Sequence, residues 1–173
     1  MKNDIQILTK SRTPHPRFEE LRSFIEAEAD LLDEQLFEEW CNLYAEDAVY
    51  WVPAQRGQES WTTHVSLYYD DKHTMKTRVQ RLNHSMTHCQ EPESQCVRVV
   101  SGVRLQGVSD DGSLFLVRSK FFMLEDRPDK PQRVFGGNYV HTLRTHGEDF
   151  QIVQKRVELT NCDQSFPNLS QPF

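Results

Sequence analysis

Glu26 to Pro53, EAEADLLDEQLFEEWCNLYAEDAVYWVP, is the stretch whose reading decides the fold. Apolar side chains fall at Ile25, Ala29 and Leu32, then at Leu36, Trp40 and Leu43 with Phe37 and Tyr44 beside them, the three-and-four spacing of buried helix faces. Asp33, between the two runs, is placed to cap the second helix, its carboxylate accepting from amides one turn on. Past Tyr44 the helical period fails. Val49 to Val52 is β-branched or aromatic throughout, and Pro53, which cannot donate to a ladder, ends that strand. A helical pair feeding a strand is expected to cap the open face of a sheet supplied by the rest of the chain.

Upstream, the first helix is expected from about Arg17 to Leu32, behind Pro16 in a position where a missing N–H is harmless, and the second from about Glu34 to Ala45. Met1 to Pro16 is polar and without firm period, an arm that orders only against a partner. Downstream, Ala54 to Ser60 reads as a polar loop and Trp61 to Tyr69 as partly extended. Asp70 and Asp71 then start a short helix over 72–82, with Met75, Val79 and Leu82 on one face.

The period then changes to two. Val97, Val99, Val103 and Leu105 alternate in a first long strand, and Ser109 to Gly112 forms a turn of the Asp-Gly type. Leu114 to Leu124 is a second strand, with Phe115, Val117, Phe121 and Met123 on one face and Leu114, Leu116, Phe122 and Leu124 on the other. Arg133 to Arg144 and Phe150 to Leu159 complete an antiparallel meander. Gly136 and Gly137, inside a strand, mark a bulge or a close backbone approach rather than a phosphate loop.

The expected class is α+β in one domain over 1–173. It divides into an arm (1–16), the helical pair (17–46), a curved sheet with the short helix inside it (47–163) and a tail (164–173). A sheet curved over helices would form a cone with a possible pocket. A chain of 173 residues buries about 70% of its extended surface, so no disulfide staple is required. Its four cysteines, Cys41, Cys89, Cys96 and Cys162, lack paired spacing, and no segment reads as a signal peptide. A cytoplasmic, soluble protein is expected, since no apolar run approaches the ~20 residues of a membrane span. A net charge of -6 with interspersed Lys and Arg tells against nucleic acid.

Residues able to carry chemistry are few. His84 and His88 are one helical turn apart with Cys89 adjacent, but Ser85 stands where a zinc protease needs Glu, so two loop histidines are the simpler reading. Neither the paired Cys-His spacing of a Rieske cluster nor a two-His, one-carboxylate iron set is present. Acid-base work in a cone pocket would draw on Asp47, Tyr50, Tyr68, Tyr69, Asp70 or His84. Each also has a plain structural reading, as turn residue, core edge, helix start or satisfied histidine. In the tail, Phe166, Leu169 and Phe173 need a surface to lie on, which leaves a frayed end and docking on a neighbouring subunit both open.

These segments together resemble the small (β) subunit of bacterial aromatic-ring-hydroxylating dioxygenases. The resemblance is carried by EAEADLLDEQLFEEW with Asp47, Tyr50 and Pro53, and by SLYYDD at Ser66 to Asp71 with TRVQRL at Thr77 to Leu82. It continues in EPESQCVRVVSGVRL from Glu91 to Leu105, where Gln95 and Gly102 replace the family's frequent Arg and Asn. FGGNYVHTLR ending at Arg144 is similar to the family's Phe-Gly-x-Arg-x-Asp-x-Leu-Arg, with Asn138 and His141 departing from its Arg and Asp, and NLSQPF is similar to its ending.

The resemblance implies a cone fold of the scytalone dehydratase and ketosteroid isomerase type. It also implies an assembly of three large and three small subunits, in which the large subunit carries a Rieske [2Fe–2S] cluster and mononuclear non-haem iron. Electrons from NADH arrive there through a reductase or ferredoxin, for O2 incorporation in aromatic compound catabolism. This chain would be the non-catalytic structural subunit, without a cofactor. The alternative is a free-standing dehydratase, isomerase or binding protein using the pocket. Trp61, Arg98, Phe166 and Phe173 are the expected interface residues, because exposed aromatics and Arg dominate interface hot spots.

Overall fold

The structure is a computed structural model that describes residues 5–7, 15–83, 92–166 and 169–173. The two expected helices are present as α1 (Phe18–Asp33) and a much shorter α2 (Phe37–Asn42). The α2 helix starts late because Gln35 takes a left-handed conformation, φ 60°, which no helix continues through. It ends early because Tyr44 already belongs to strand β2 (Tyr44–Pro53). Asp33 does not cap α2. It closes α1, and its carboxylate accepts from both the backbone N–H and the guanidinium of Arg98, a charged donor pair that outcompetes a helix amide.

Strand β3 (Ser66–Asp71) pairs antiparallel with β2, and α3 (Lys72–Asn83) follows directly. Asp71 Oδ1 accepts from Thr74 N–H as the N-cap of α3, while Asp70 is turned inward onto Arg78. Buried Lys72 reaches back to the Cys41 and Tyr44 carbonyls at the end of α2, where a cation also meets the negative helix terminus.

Four long strands then run as expected in a meander: β4 (Gln95–Ser109), β5 (Leu114–Asp126), β6 (Arg133–His146) and β7 (Asp149–Leu159). Among the described residues the sheet has seven strands, ordered β1-β4-β5-β6-β7-β2-β3, with β1 (Ile5–Ile7) added antiparallel to the end of β4. One pairing is parallel, β2 on β7, and it skips between Tyr44 and Val49. Asp47 stands in this skip, within the strand rather than in a turn, and its exposed carboxylate holds Arg144. Gly137 marks the close approach: a Cβ there would lie 1.9 Å from the Glu158 carbonyl oxygen of β7.

The inward residues of the strands and the buried faces of α1 to α3 form one apolar cluster running from Leu21 to Phe173. Its aromatic rings meet edge to face, as at Phe24 on Phe150 and Trp40 on Tyr44 and Tyr50, with Phe121 and Tyr139 stacked at 4.0 Å.

Candidate functional site

The interior of the cone is built around Glu28. The α1 periodicity that buries Phe24, Ile25, Ala29 and Leu32 also carries position 28 inward, so the carboxylate enters an apolar space. Alternation along β7 and β6 sends Lys155 and His141 toward it. Lys155 Nζ lies 2.9 Å from Glu28 Oε1, which also accepts from Trp40 Nε1 at 3.0 Å and Tyr44 OH at 3.2 Å, while His141 Nε2 is 2.9 Å from Oε2. All three ionisable groups are buried.

Burial by itself would raise the Glu28 carboxyl, but Lys155 and His141 outweigh it and hold the group well below the usual carboxylate range. Burial lowers His141 and Lys155, opposed in both by Glu28. His141 is accordingly a neutral imidazole donating through Nε2–H, with Nδ1 left without a partner. The carboxylate thus accepts from four donors of its own chain, three on Oε1 and one on Oε2.

The tail enters this same interior. Phe173 is 1% exposed, its ring edge on to Phe135 at 5.1 Å and near Tyr68 and Phe121. Its N–H donates to Tyr50 OH, its main-chain oxygen accepts from Lys155 Nζ, and the Pro172 carbonyl accepts from Arg98 Nη2. Tyr68 OH donates to the Leu169 carbonyl. Tyr50 and Tyr68 thus do reach the interior, but they hold the chain's own tail, and burial raises both phenols, Tyr68 to about 12. Asp47 is outside the cone, and His84 lies outside the described residues.

Two expected interface residues require correction. Arg98 and Phe173 are buried within their own chain, the first because Asp33 and the Pro172 carbonyl offer it acceptors, the second because the cone interior is apolar. The tail segment 169–173 is folded into the core, neither frayed nor extended toward a neighbour. Phe166 is half-buried against Phe135. Trp61 is partly exposed on the outer face of the sheet, stacked on Tyr69 and covering Trp51.

The convex face presents what the list of single residues missed. Val97, Val99, Phe122 and Val134 are each more than half exposed, and the register sets Val97 beside Leu124 and Val134, and Val99 beside Phe122 and Gly136. Side by side on neighbouring strands, they make one contiguous exposed apolar patch. Beside it lie Arg104, Arg118, Lys120 and Arg156 against two acids, Asp126 and Glu158, the second pairing with Arg118 and Arg156. The alternation of β5 already displayed this second apolar face in the sequence.

His84, His88 and Cys89 lie outside the described residues. Among the described residues no three His, Cys, Asp or Glu side chains are grouped to hold a metal, His141 is spent on Glu28, and burial pushes the Cys96 thiol up to about 11. No described helix is long and apolar enough to cross a membrane.

Comparison with known proteins follows the same lines. The family described as ring hydroxylating beta subunit matches residues 27–164. The benzene 1,2-dioxygenase subunit beta of Pseudomonas putida is 28% identical over 92% of each chain. The crystal structure of the benzoate 1,2-dioxygenase beta subunit from Burkholderia mallei superposes with a TM-score of 0.69 at 25% identity, over 87% of this chain and 94% of that one. A scytalone dehydratase homologue from Novosphingobium aromaticivorans shares the fold, with a TM-score of 0.61 at 14% identity over 82% of this chain and 83% of the other.

Proposed function

This chain belongs to the ring hydroxylating beta subunit family, and on that premise we propose that it is the non-catalytic structural small subunit of an aromatic-ring-hydroxylating dioxygenase. The observation that carries the reading is the tail inside the cone: where a dehydratase or isomerase needs room for substrate, Phe173 is packed among aromatic rings, and Glu28 is engaged by four internal donors. In this reading the Rieske [2Fe–2S] cluster and the mononuclear iron are on the large subunit, and O2 is incorporated into the aromatic ring there with electrons from NADH passed on by a reductase or ferredoxin. Three large and three small subunits assemble in the cytoplasm.

The convex face of β4 to β6 is the surface that meets the large subunit. Its apolar rows supply area to bury, and the local excess of basic side chains on a chain of net charge -6 calls for an acidic partner surface. Trp61, over β2 and β3, and Phe166, beside Phe135, are separate contact residues in this reading. Expression alone should give a colourless protein, and co-expression with the large subunit of the same host should give a complex containing iron and acid-labile sulfide. Stoichiometric iron in the isolated chain, or a monomer that ignores the large subunit, overturns the reading.

A further inference from the structure

Pro172 and Phe173 are held as a ligand is held. Three polar atoms of the unit, the Pro172 carbonyl, the Phe173 N–H and a Phe173 main-chain oxygen, each meet a side chain from a different strand: Arg98 of β4, Tyr50 of β2 and Lys155 of β7. The benzyl group fills an aromatic box whose nearest wall is Phe135. Arg98 and Lys155 have side chains 0% and 1% exposed, so with the tail withdrawn both would face an apolar cavity with donors to spare. Each cation is already neutralised, by Asp33 and by Glu28. What they offer inward is therefore directed hydrogen bonding rather than bare charge.

We infer that the interior of this cone is a binding site for N-acylated aromatic amino acids, and that the chain's own Pro172–Phe173 is the occupant that fills it. The chemical class follows from the contacts. An acyl carbonyl is required for Arg98, and, around one carbon of L configuration, an amide N–H for the Tyr50 oxygen, a main-chain oxygen for Lys155 and an aromatic ring for the box. N-acetyl-L-phenylalanine carries the full set. The inference goes beyond the role of the chain in an assembly, because it concerns a site whose groups all lie within one copy.

The test uses the chain ending at Gln171 beside the full chain, with N-acetyl-L-phenylalanine added to each. The shortened chain should unfold at a lower temperature, and the probe should restore the midpoint saturably. The D-enantiomer and N-acetyl-L-alanine should need at least about tenfold higher concentration for the same effect, since each forfeits a buried ring or its hydrogen-bond geometry. The full chain, its site filled, should not respond. If the shortened chain does not fold unaided, refolding from urea in the presence of each compound decides the matter, with recovery by the L-phenylalanine derivative alone supporting the assignment. Equal responses to all three compounds, an equal response of the full chain, or recovery with none of them would overturn it. None of these results bears on whether the chain joins a large subunit.

Discussion

Protonating Glu28 would leave Lys155 a cation without its counter-charge in an apolar interior, and removing the carboxylate should do the same permanently. Glu28→Gln is expected to lower stability by about 3–5 kcal/mol at neutral pH, the usual cost of breaking one side of a buried pair. The pH dependence has a definite sign. Glu28 and His141 are both held below their ordinary values in the folded chain, so on acidification the unfolded chain takes up protons that the folded chain resists. Stability should fall as pH drops through the ordinary histidine value of 6.5, and again through the ordinary carboxylate value of 4.5. Urea midpoints of the wild-type chain at about pH 7.5 and about pH 5 check this, and equal midpoints would refute it. At this scale the sequence was half legible. Glu28 within an apolar helical stripe and Lys155 at an inward strand position are each visible as violations of their periods. That they meet is not visible, because 127 residues separate them and only the sheet closure joins them.

Strand β5 divides two neighbours between opposite fates. Phe121 is buried and stacked on Tyr139, while Phe122, one residue on, is 59% exposed on the convex face. Phe121→Ala should cost about 3–5 kcal/mol in urea denaturation as a core cavity opens. Phe122→Ala should leave the isolated chain within about 0.5 kcal/mol of wild type, yet reduce the yield of complex recovered through a tagged large subunit. Unchanged recovery would remove the convex face from the interface. The period-two alternation fixed these faces without any structure, and it placed β4 to β7 to within a few residues. It could not show where β2 goes. The parallel pairing on β7 and the skip at Asp47 depend on which sheet edge is open once the meander has formed, and no local pattern encodes that. The loss of half of the expected α2 is equally invisible, since Gln35 is an unremarkable residue by composition and its left-handed backbone has no sequence signal.

Over the whole molecule the charges segregate. The outward faces of α1 and α2 carry Glu19, Glu20, Glu26, Asp30, Glu34, Glu38 and Glu39 against Arg17 and Arg22, whereas the convex sheet face is locally basic. A net charge computed for the whole chain conceals this, which is why composition alone argued only against nucleic acid. If the basic face meets the large subunit, raising ionic strength from about 0.1 M to about 1 M, where screening shortens from about 10 Å to about 3 Å, should weaken the complex. Lys120→Glu should weaken it further at low salt, and Glu38→Lys on the opposite side should not. Sedimentation of the co-purified complex measures all three, and an insensitive complex would rule out the charge-matched orientation. The place of β7 in the middle of the sheet has a consequence for biosynthesis. When β2 leaves the ribosome its partner on that side has not been made, and roughly a hundred residues must follow before Asp149 begins it, about 5–20 s of translation. For that interval the β2–β3 hairpin has only α1 to α3 for company, a pair of strands too few to stand alone. Until β7 is made, the edge of β2 that it covers stays unpaired.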